Sequence, residues 1–169
     1  MKFASFRIHG VAGYGLVTEE GLRPVPATFA ARHPDLKSVL AAGALDAAAS
    51  AARANPRLLD PAEVVLEAVI GNPGKILCVG VNYLGHIREM GREPPAHPVL
   101  FVRFPDTLVG HERPIIRPRV SSQYDFEGEL AFIIGRRARY IAREQALDYV
   151  AGYACLMDGS LRDFQRQTS

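Results

Sequence analysis

The sequence predicts an α+β fold dominated by β-structure. Three observations predict it. Apolar residues fall in short runs of strand length, and helical periodicity is confined to a few brief segments. Gly and Pro punctuate the whole chain, with 15 and 12 of them in 169 residues, which leaves little room for long helices.

In order, residues 2–9 read as a strand with Phe3, Phe6 and Ile8 among small and basic residues. Gly10 breaks it, residues 14–17 resume it, and Glu19-Glu20-Gly21 turns the chain into residues 22–25. Together they predict a small meander. Asp35 is placed to cap a short helix containing Leu36, Val39 and Leu40. Residues 47–54 are alanine-rich and helix-prone but too small-sided to define a site. Residues 58–70 read as a further extended segment. Gly71-Asn72-Pro73-Gly74 sets four turn residues between two apolar runs. It divides the chain into an N-terminal lobe, residues 1–72, and a second part, residues 73–169. The lobe carries no convergent polar cluster.

Residues 75–81 predict a buried strand, and residues 83–90 have helical character. On that helix His86 and Glu89 are three apart and share a face. A carboxylate beside an imidazole orients the ring, which suits a general base. The plainer alternative is a surface ion pair of little energetic weight. Gly91 ends the helix and Pro94-Pro95 prevents its continuation, as in a short lid over a ligand. His9, His33, His97 and His111 have no acidic partner at motif spacing. Residues 98–104 and 114–117 read as strands, with Asp106, Thr107 and Gly110 in the loop between them.

Asp125-Phe126-Glu127-Gly128-Glu129 leads into an apolar run, residues 130–134, that predicts a buried strand closed by Gly135. In one continuous strand Asp125, Glu127 and Glu129 project to the same side. Three like charges there repel one another, and a hard divalent cation such as Mg²⁺, Mn²⁺ or Ca²⁺ relieves the repulsion. The alternative is a sheet face of solvated acids. Residues 144–153 carry a helical pattern ended by Gly152, and residues 153–156 read as a short strand delivering Asp158. Ser160 and Asp163 have the spacing of a capping box, so a helix is expected from Leu161, with Arg162 and Gln165 on one face. Arg162 suits a carboxylate, and Gln165 offers a donor and an acceptor.

The formal net charge is +2 with both signs interspersed, which recommends neither a nucleic acid nor a membrane surface as partner. The two cysteines, Cys78 and Cys155, match no zinc spacing and sit in apolar runs. They read as reduced core thiols, in keeping with a cytoplasmic protein. There is no signal-peptide pattern and no apolar run of about 18 residues or more.

From Lys75 to Gln165 these pieces, in this order and spacing, resemble the fumarylacetoacetate hydrolase family. The matching segments are Lys75-Ile76-Leu77-Cys78-Val79-Gly80-Val81-Asn82-Tyr83 with His86 and Glu89, Pro98-Val99-Leu100-Phe101, and the acidic stretch through Gly135. Ala146-Leu147-Asp148-Tyr149-Val150-Ala151-Gly152-Tyr153 and Asp158-Gly159-Ser160-Leu161-Arg162-Asp163-Phe164-Gln165 complete the set. The resemblance implies a β-rich roll or barrel-like catalytic domain with a small N-terminal lobe, commonly a homodimer. It also implies a divalent metal, Mg²⁺ or Mn²⁺ with Ca²⁺ as a further option, held by Glu127, Glu129 and Asp158. His86 and Glu89 become the pair on a lid helix, Arg162 and Gln165 the contacts to substrate oxygens, and Asp125 an acid supporting the metal ligands. The implied substrates are 2-oxo or 1,3-dioxo carboxylates such as acylpyruvates.

The residue types suit that chemistry. Three carboxylates leave a six-coordinate metal with open positions, where a 2-oxo acid can chelate and an enolate can be stabilised. His86, oriented by Glu89, could activate a water against the distal carbonyl. Decarboxylase, isomerase, hydratase and lyase chemistries share the fold and are the alternatives, beside a non-catalytic metal-binding fragment. Two positions depart from the family pattern: Met157 stands where Asn is typical, and Val81 where Arg is frequent. The family's catalytic domain continues past the Arg162–Gln165 helix, with further strands and a lysine. The 169 residues are therefore expected to be the first part of a longer domain, exposing strand edges and half a core.

Overall fold

A computed structural model describes residues 1–167. The chain end at residue 169 lies outside the described residues. The meander is present as β1 (Phe3–Ile8), β2 (Val11–Thr18) and β3 (Gly21–Pro24), paired antiparallel from Phe3↔Leu16 to Ile8↔Val11 and from Gly15↔Pro24 to Thr18↔Gly21. Three short helices follow: α1 (Ala27–Ala30), α2 (Leu36–Ala41) and α3 (Leu45–Ala54). Asp35 caps α2 as its sequence position predicts. Its carboxylate accepts the Ser38 N–H at 2.7 Å, and its own N–H donates to Ser38 Oγ at 3.2 Å. Residues 58–70 are less regular than expected. Asp60 caps a 3₁₀ turn, Pro61–Glu63, by accepting the Ala62 N–H at 2.9 Å, and only β4 (Val65–Leu66) remains extended. β4 pairs with β1 and completes the sheet order β3-β2-β1-β4.

The hydrophobic core lies here. Tyr14, Leu16, Val25, Phe29, Leu36, Val39, Ala48, Ala49 and Ala52 form one buried cluster between sheet and helices. The alanines of α3 let that helix approach the sheet closely. The Tyr14 hydroxyl donates to the His33 carbonyl at 2.6 Å, and burial, with the nearby Asp35 charge, pushes its pKa up to about 12.

Residues 73 onward are built from β5 (Ile76–Gly80), α4 (Leu84–Glu89), β6 (Val99–Arg103), β7 (Tyr124–Asp125), β8 (Gly128–Ile134), β9 (Val150–Met157), β10 (Ser160–Leu161) and α5 (Arg162–Gln165). They pair as three antiparallel ribbons, β5–β6, β7–β10 and β8–β9. The fold is therefore α+β and strand-rich, and among the described residues the ribbons do not close into a barrel. The loop after β6 reaches back to the first sheet. A Cβ on Gly110 would lie 1.9 Å from the Leu66 carbonyl oxygen, so glycine is what admits this approach.

Five expectations are corrected. Residues 114–117 form no strand. The pattern over residues 144–153 is not an α-helix: a 3₁₀ segment, Arg143–Tyr149, gives way to β9, because Val150 and Gly152 pair with Ile134 and Ile133 across a bulge. Helical periodicity there yields to strand pairing. The acidic stretch is two strands, β7 and β8, with Phe126 and Glu127 between them. The capping box at Ser160 is absent: Ser160 pairs with Asp125 in the ribbon, and the Asp163 carboxylate instead accepts from Ser121 Oγ at 2.7 Å. Finally, β5 and β8 are not buried on both faces. Leu130 and Phe132 are each 51 % exposed, Leu77 and Val79 are exposed, and Cys155 lies on the surface rather than in a core. A two-stranded ribbon covers one face of each strand and leaves the other to be covered by something else.

Candidate active site

The three expected metal-ligand positions are brought together by the β8–β9 ribbon. Gly128 pairs with Met157 and Glu129 with Leu156. The ladder runs one step further, with the Asp158 N–H donating to the Glu127 carbonyl at 2.8 Å. Residues directly opposite in an antiparallel pair share a face, their Cβ atoms about 4.5–5.5 Å apart. Glu127 and Asp158 are therefore neighbours across the ribbon, and Glu129 lies two residues along from Glu127. Alternation on β8 turns Glu129 to the covered side with Ala131 and Ile133.

The side-chain oxygens are engaged by protein cations and a phenol. Arg162 donates from Nε to Asp125 Oδ2 at 2.9 Å and from Nη1 to Glu127 Oε1 at 2.5 Å. Arg103 donates from Nη2 to Asp158 Oδ1 and to the Gly159 carbonyl, the latter at 3.2 Å. Tyr83 donates its hydroxyl to Glu129 Oε2 at 3.2 Å. Asp158 is 6 % exposed, one of the few buried polar residues among those described, so its partner matters most. The Arg162 guanidinium, helped by the Phe126 N–H, holds the Asp125 carboxyl below the usual carboxylate range. Burial opposes the charge of Arg162, but its bonds to Asp125 and Glu127 outweigh that and raise its pKa. Cys78, on β5, has its thiol pushed up by burial and then by the Asp158 charge, which puts β5 beside the site.

His86 and Glu89 meet as expected, with Nδ1 and Oε2 3.5 Å apart on α4. Both are well exposed. Tyr83, the residue preceding α4, carries the contact to Glu129, so the start of this helix is docked on the acids. Arg162 and Gln165 share a face and touch, Nη1 to Oε1 at 3.0 Å. The guanidinium is directed onto Asp125 and Glu127, not into open space. Asp125 is thus a support for Arg162.

Two residues of the site escape sequence reading. Arg103 closes the otherwise apolar strand Val99–Arg103, and a cation ending such a run is the signal that marks it. Tyr83 gives no comparable signal, since nothing local specifies a contact 46 residues away.

The donor set is all oxygen, which suits Mg²⁺, Mn²⁺ or Ca²⁺. Among the described residues no group of three His, Cys, Asp or Glu side chains is gathered closely enough to hold an ion, and Glu127 and Asp158 are each paired with a guanidinium through one carboxylate oxygen. The backbone nevertheless sets Glu127, Glu129 and Asp158 within reach of one another. Donor chemistry and backbone placement fit a metal, and the side-chain rotamers are those of a charge-paired state.

Residues 75–169 match the sequence model of a family described as fumarylacetoacetate (FAA) hydrolase, C-terminal. An oxaloacetate tautomerase, mitochondrial, from Xenopus laevis is 41 % identical over 122 residues, covering 72 % of this chain and 38 % of that protein. A fumarylacetoacetate hydrolase structure from Exiguobacterium antarcticum has a TM-score of 0.80 at 34 % identity, over 99 % of this chain and 58 % of that one. A maleylpyruvate hydrolase structure from Sphingobium sp. SYK-6, in complex with manganese(II) and pyruvate, has a TM-score of 0.77 at 30 % identity, over 96 % of this chain and 60 % of that one. The chain spans well under half the length of the curated relative and somewhat over half of the solved ones. With the match running through the acidic stretch, both arginines and α5, the chain belongs to the fumarylacetoacetate hydrolase family.

Proposed function

We propose that this chain supplies the first part of a divalent-metal-dependent hydrolase that cleaves a carbon–carbon bond in a 2-oxo or 1,3-diketo carboxylate of the acylpyruvate type. The observation that carries the reading is the Asp158–Glu127 backbone contact at the mouth of the β8–β9 ribbon, which sets three carboxylates on one side. In this reading Glu127, Glu129 and Asp158 hold Mg²⁺ or Mn²⁺. When bound, the ion supplies positive charge against the negative charge that develops on the 2-oxo acid's oxygens. His86, steadied by Glu89, accepts a proton from water, and the resulting hydroxide adds to the distal carbonyl. The carbon–carbon bond then breaks, its electron pair going to the carbon beside the 2-oxo group, which takes up a proton. Arg162 and Gln165 orient the substrate's oxygens once Arg162 is released from Glu127. Asp125 retains Arg162 at the site. Residues 1–72 are proposed as a separate N-terminal lobe, and the working form as a cytoplasmic homodimer.

A second reading is favoured by the tautomerase relative. Moving a proton on and off the carbon beside a 2-oxo group needs the same acids and one base, but no water attack. The two readings separate on a panel of acylpyruvates and oxaloacetate with Mg²⁺ or Mn²⁺. Hydrolysis predicts release of a carboxylic acid from the acylpyruvate, and His86→Ala should keep metal binding yet lose about 100-fold or more in turnover. Interconversion of keto and enol oxaloacetate with no acylpyruvate cleavage would instead assign the tautomerase activity. Full hydrolysis by His86→Ala removes the proposed base.

A further inference from the structure

We infer that Arg103 is the positioning residue of Asp158, the group that fixes the aspartate's direction for a cation. This rests on the reading that Asp158 is a ligand to a divalent ion.

Asp158 is nearly inaccessible, and a buried carboxylate without a partner is strongly disfavoured. Arg103 answers it from a different ribbon. It ends β6, opposite Ile76 of β5, and one nitrogen, Nη2, reaches both Asp158 Oδ1 and the Gly159 carbonyl. That double contact fixes the side chain and the backbone of the same turn. From the other side the turn is closed by Tyr124, since a Cβ on Gly159 would lie 2.0 Å from the Tyr124 hydroxyl oxygen. Arg103 is itself largely covered, and its Nε is buried with no hydrogen-bond partner among the described residues. The same guanidinium also hydrogen-bonds the Cys78 side chain of β5, so Arg103 joins the β5–β6 ribbon to the Asp158 turn. Arg103 takes one carboxylate oxygen, and a carboxylate has a second to give to a cation. Arg162 does not share the task, being committed to Asp125 and Glu127.

The test is the Mn²⁺ dissociation constant of the full chain, read from the electron paramagnetic resonance signal of free Mn²⁺. Arg103→Met and Arg103→Gln should weaken binding by about 10- to 100-fold, the usual cost of losing a group that orients a metal ligand. Arg103→Lys should keep wild-type affinity, because both contacts come from one nitrogen and an ammonium can reproduce them. Wild-type affinity in either neutral variant overturns the inference, as does an equal loss in Arg103→Lys. Thermal melting is recorded for each variant. If both neutral variants fail to fold while Arg103→Lys folds, Arg103 belongs to the fold and the metal role is overturned. Absence of saturable Mn²⁺ binding in the wild type is a different result, which removes the metal reading itself.

Discussion

Asp125 shows how one side chain can carry a pH response. Arg162 holds its carboxyl below the ordinary value, so the pair stabilises the folded chain fully above about pH 4 and loses that contribution as pH falls through the lowered value. Acid denaturation of the wild type should therefore steepen below about pH 4, and Asp125→Asn should flatten that limb, its melting point falling modestly at neutral pH and converging with that of the wild type in acid. An unaltered acid limb in Asp125→Asn contradicts the assignment. Asp35 is a second depressed carboxyl. Burial alone would raise its pKa, but the Ser38 N–H and the Asn72 amide outweigh it. As the cap of α2 it should cost about 0.5–2 kcal/mol when changed to Ala, measured by urea unfolding. The His86–Glu89 contact was legible in the sequence because three-residue spacing on a helix brings the two side chains together, whereas the alignment of the acids was not, since their stretch is broken between β7 and β8. Arg103 and Tyr83 were not, because their partners lie 55 and 46 residues away and are fixed by ribbon pairing.

At the scale of elements, strand pairing overrides local pattern wherever the two conflict. Residues 144–153 look helical by periodicity, yet β8 captures Val150 to Met157 as a strand. The β7–β10 pairing likewise holds Ser160 as strand, and Asp163 accepts from Ser121 rather than taking part in a cap of α5. The meander and the Asp35 cap came through unchanged, since tight turns and caps are decided by residues close in sequence. Between β5 and α4, Val81 adopts φ of 52°, a left-handed conformation that a β-branched residue resists. It sits where the chain leaves β5 for the helix of His86, so the bend that aims this helix is strained. Val81→Asn should raise the melting temperature, since Asn tolerates this conformation, by up to about 1 kcal/mol of stability. A lower melting temperature would show that Val81 packing outweighs the backbone cost.

Over the whole molecule, the packing is uneven. The buried apolar cluster belongs to residues before Gly71, whereas after it Ile87 is the one buried hydrophobic residue among those described. Leu77, Val79, Leu100 and Val102 on one ribbon, and Leu130, Phe132 and Ile134 on another, present apolar faces to solvent. Such faces are contact surfaces. The 169-residue polypeptide should bind an apolar dye and self-associate in sedimentation. Leu130→Lys should reduce the association while shifting stability by no more than about 0.5 kcal/mol. Equal association in that variant argues that another face is responsible. This exposure was foreseeable from the family resemblance but not from the apolar runs, which state that a strand is covered and not by what.

The central claim is that Glu127, Glu129 and Asp158 together hold one divalent cation. Equilibrium titration with Mn²⁺, comparing the wild-type chain with Glu129→Gln, tests it most directly. The predicted result is one saturable site per chain in the wild type, lost in Glu129→Gln with its melting temperature preserved. Saturable binding of equal strength in both proteins, or none in either, contradicts it: the acids would then be partners of Arg103 and Arg162 alone.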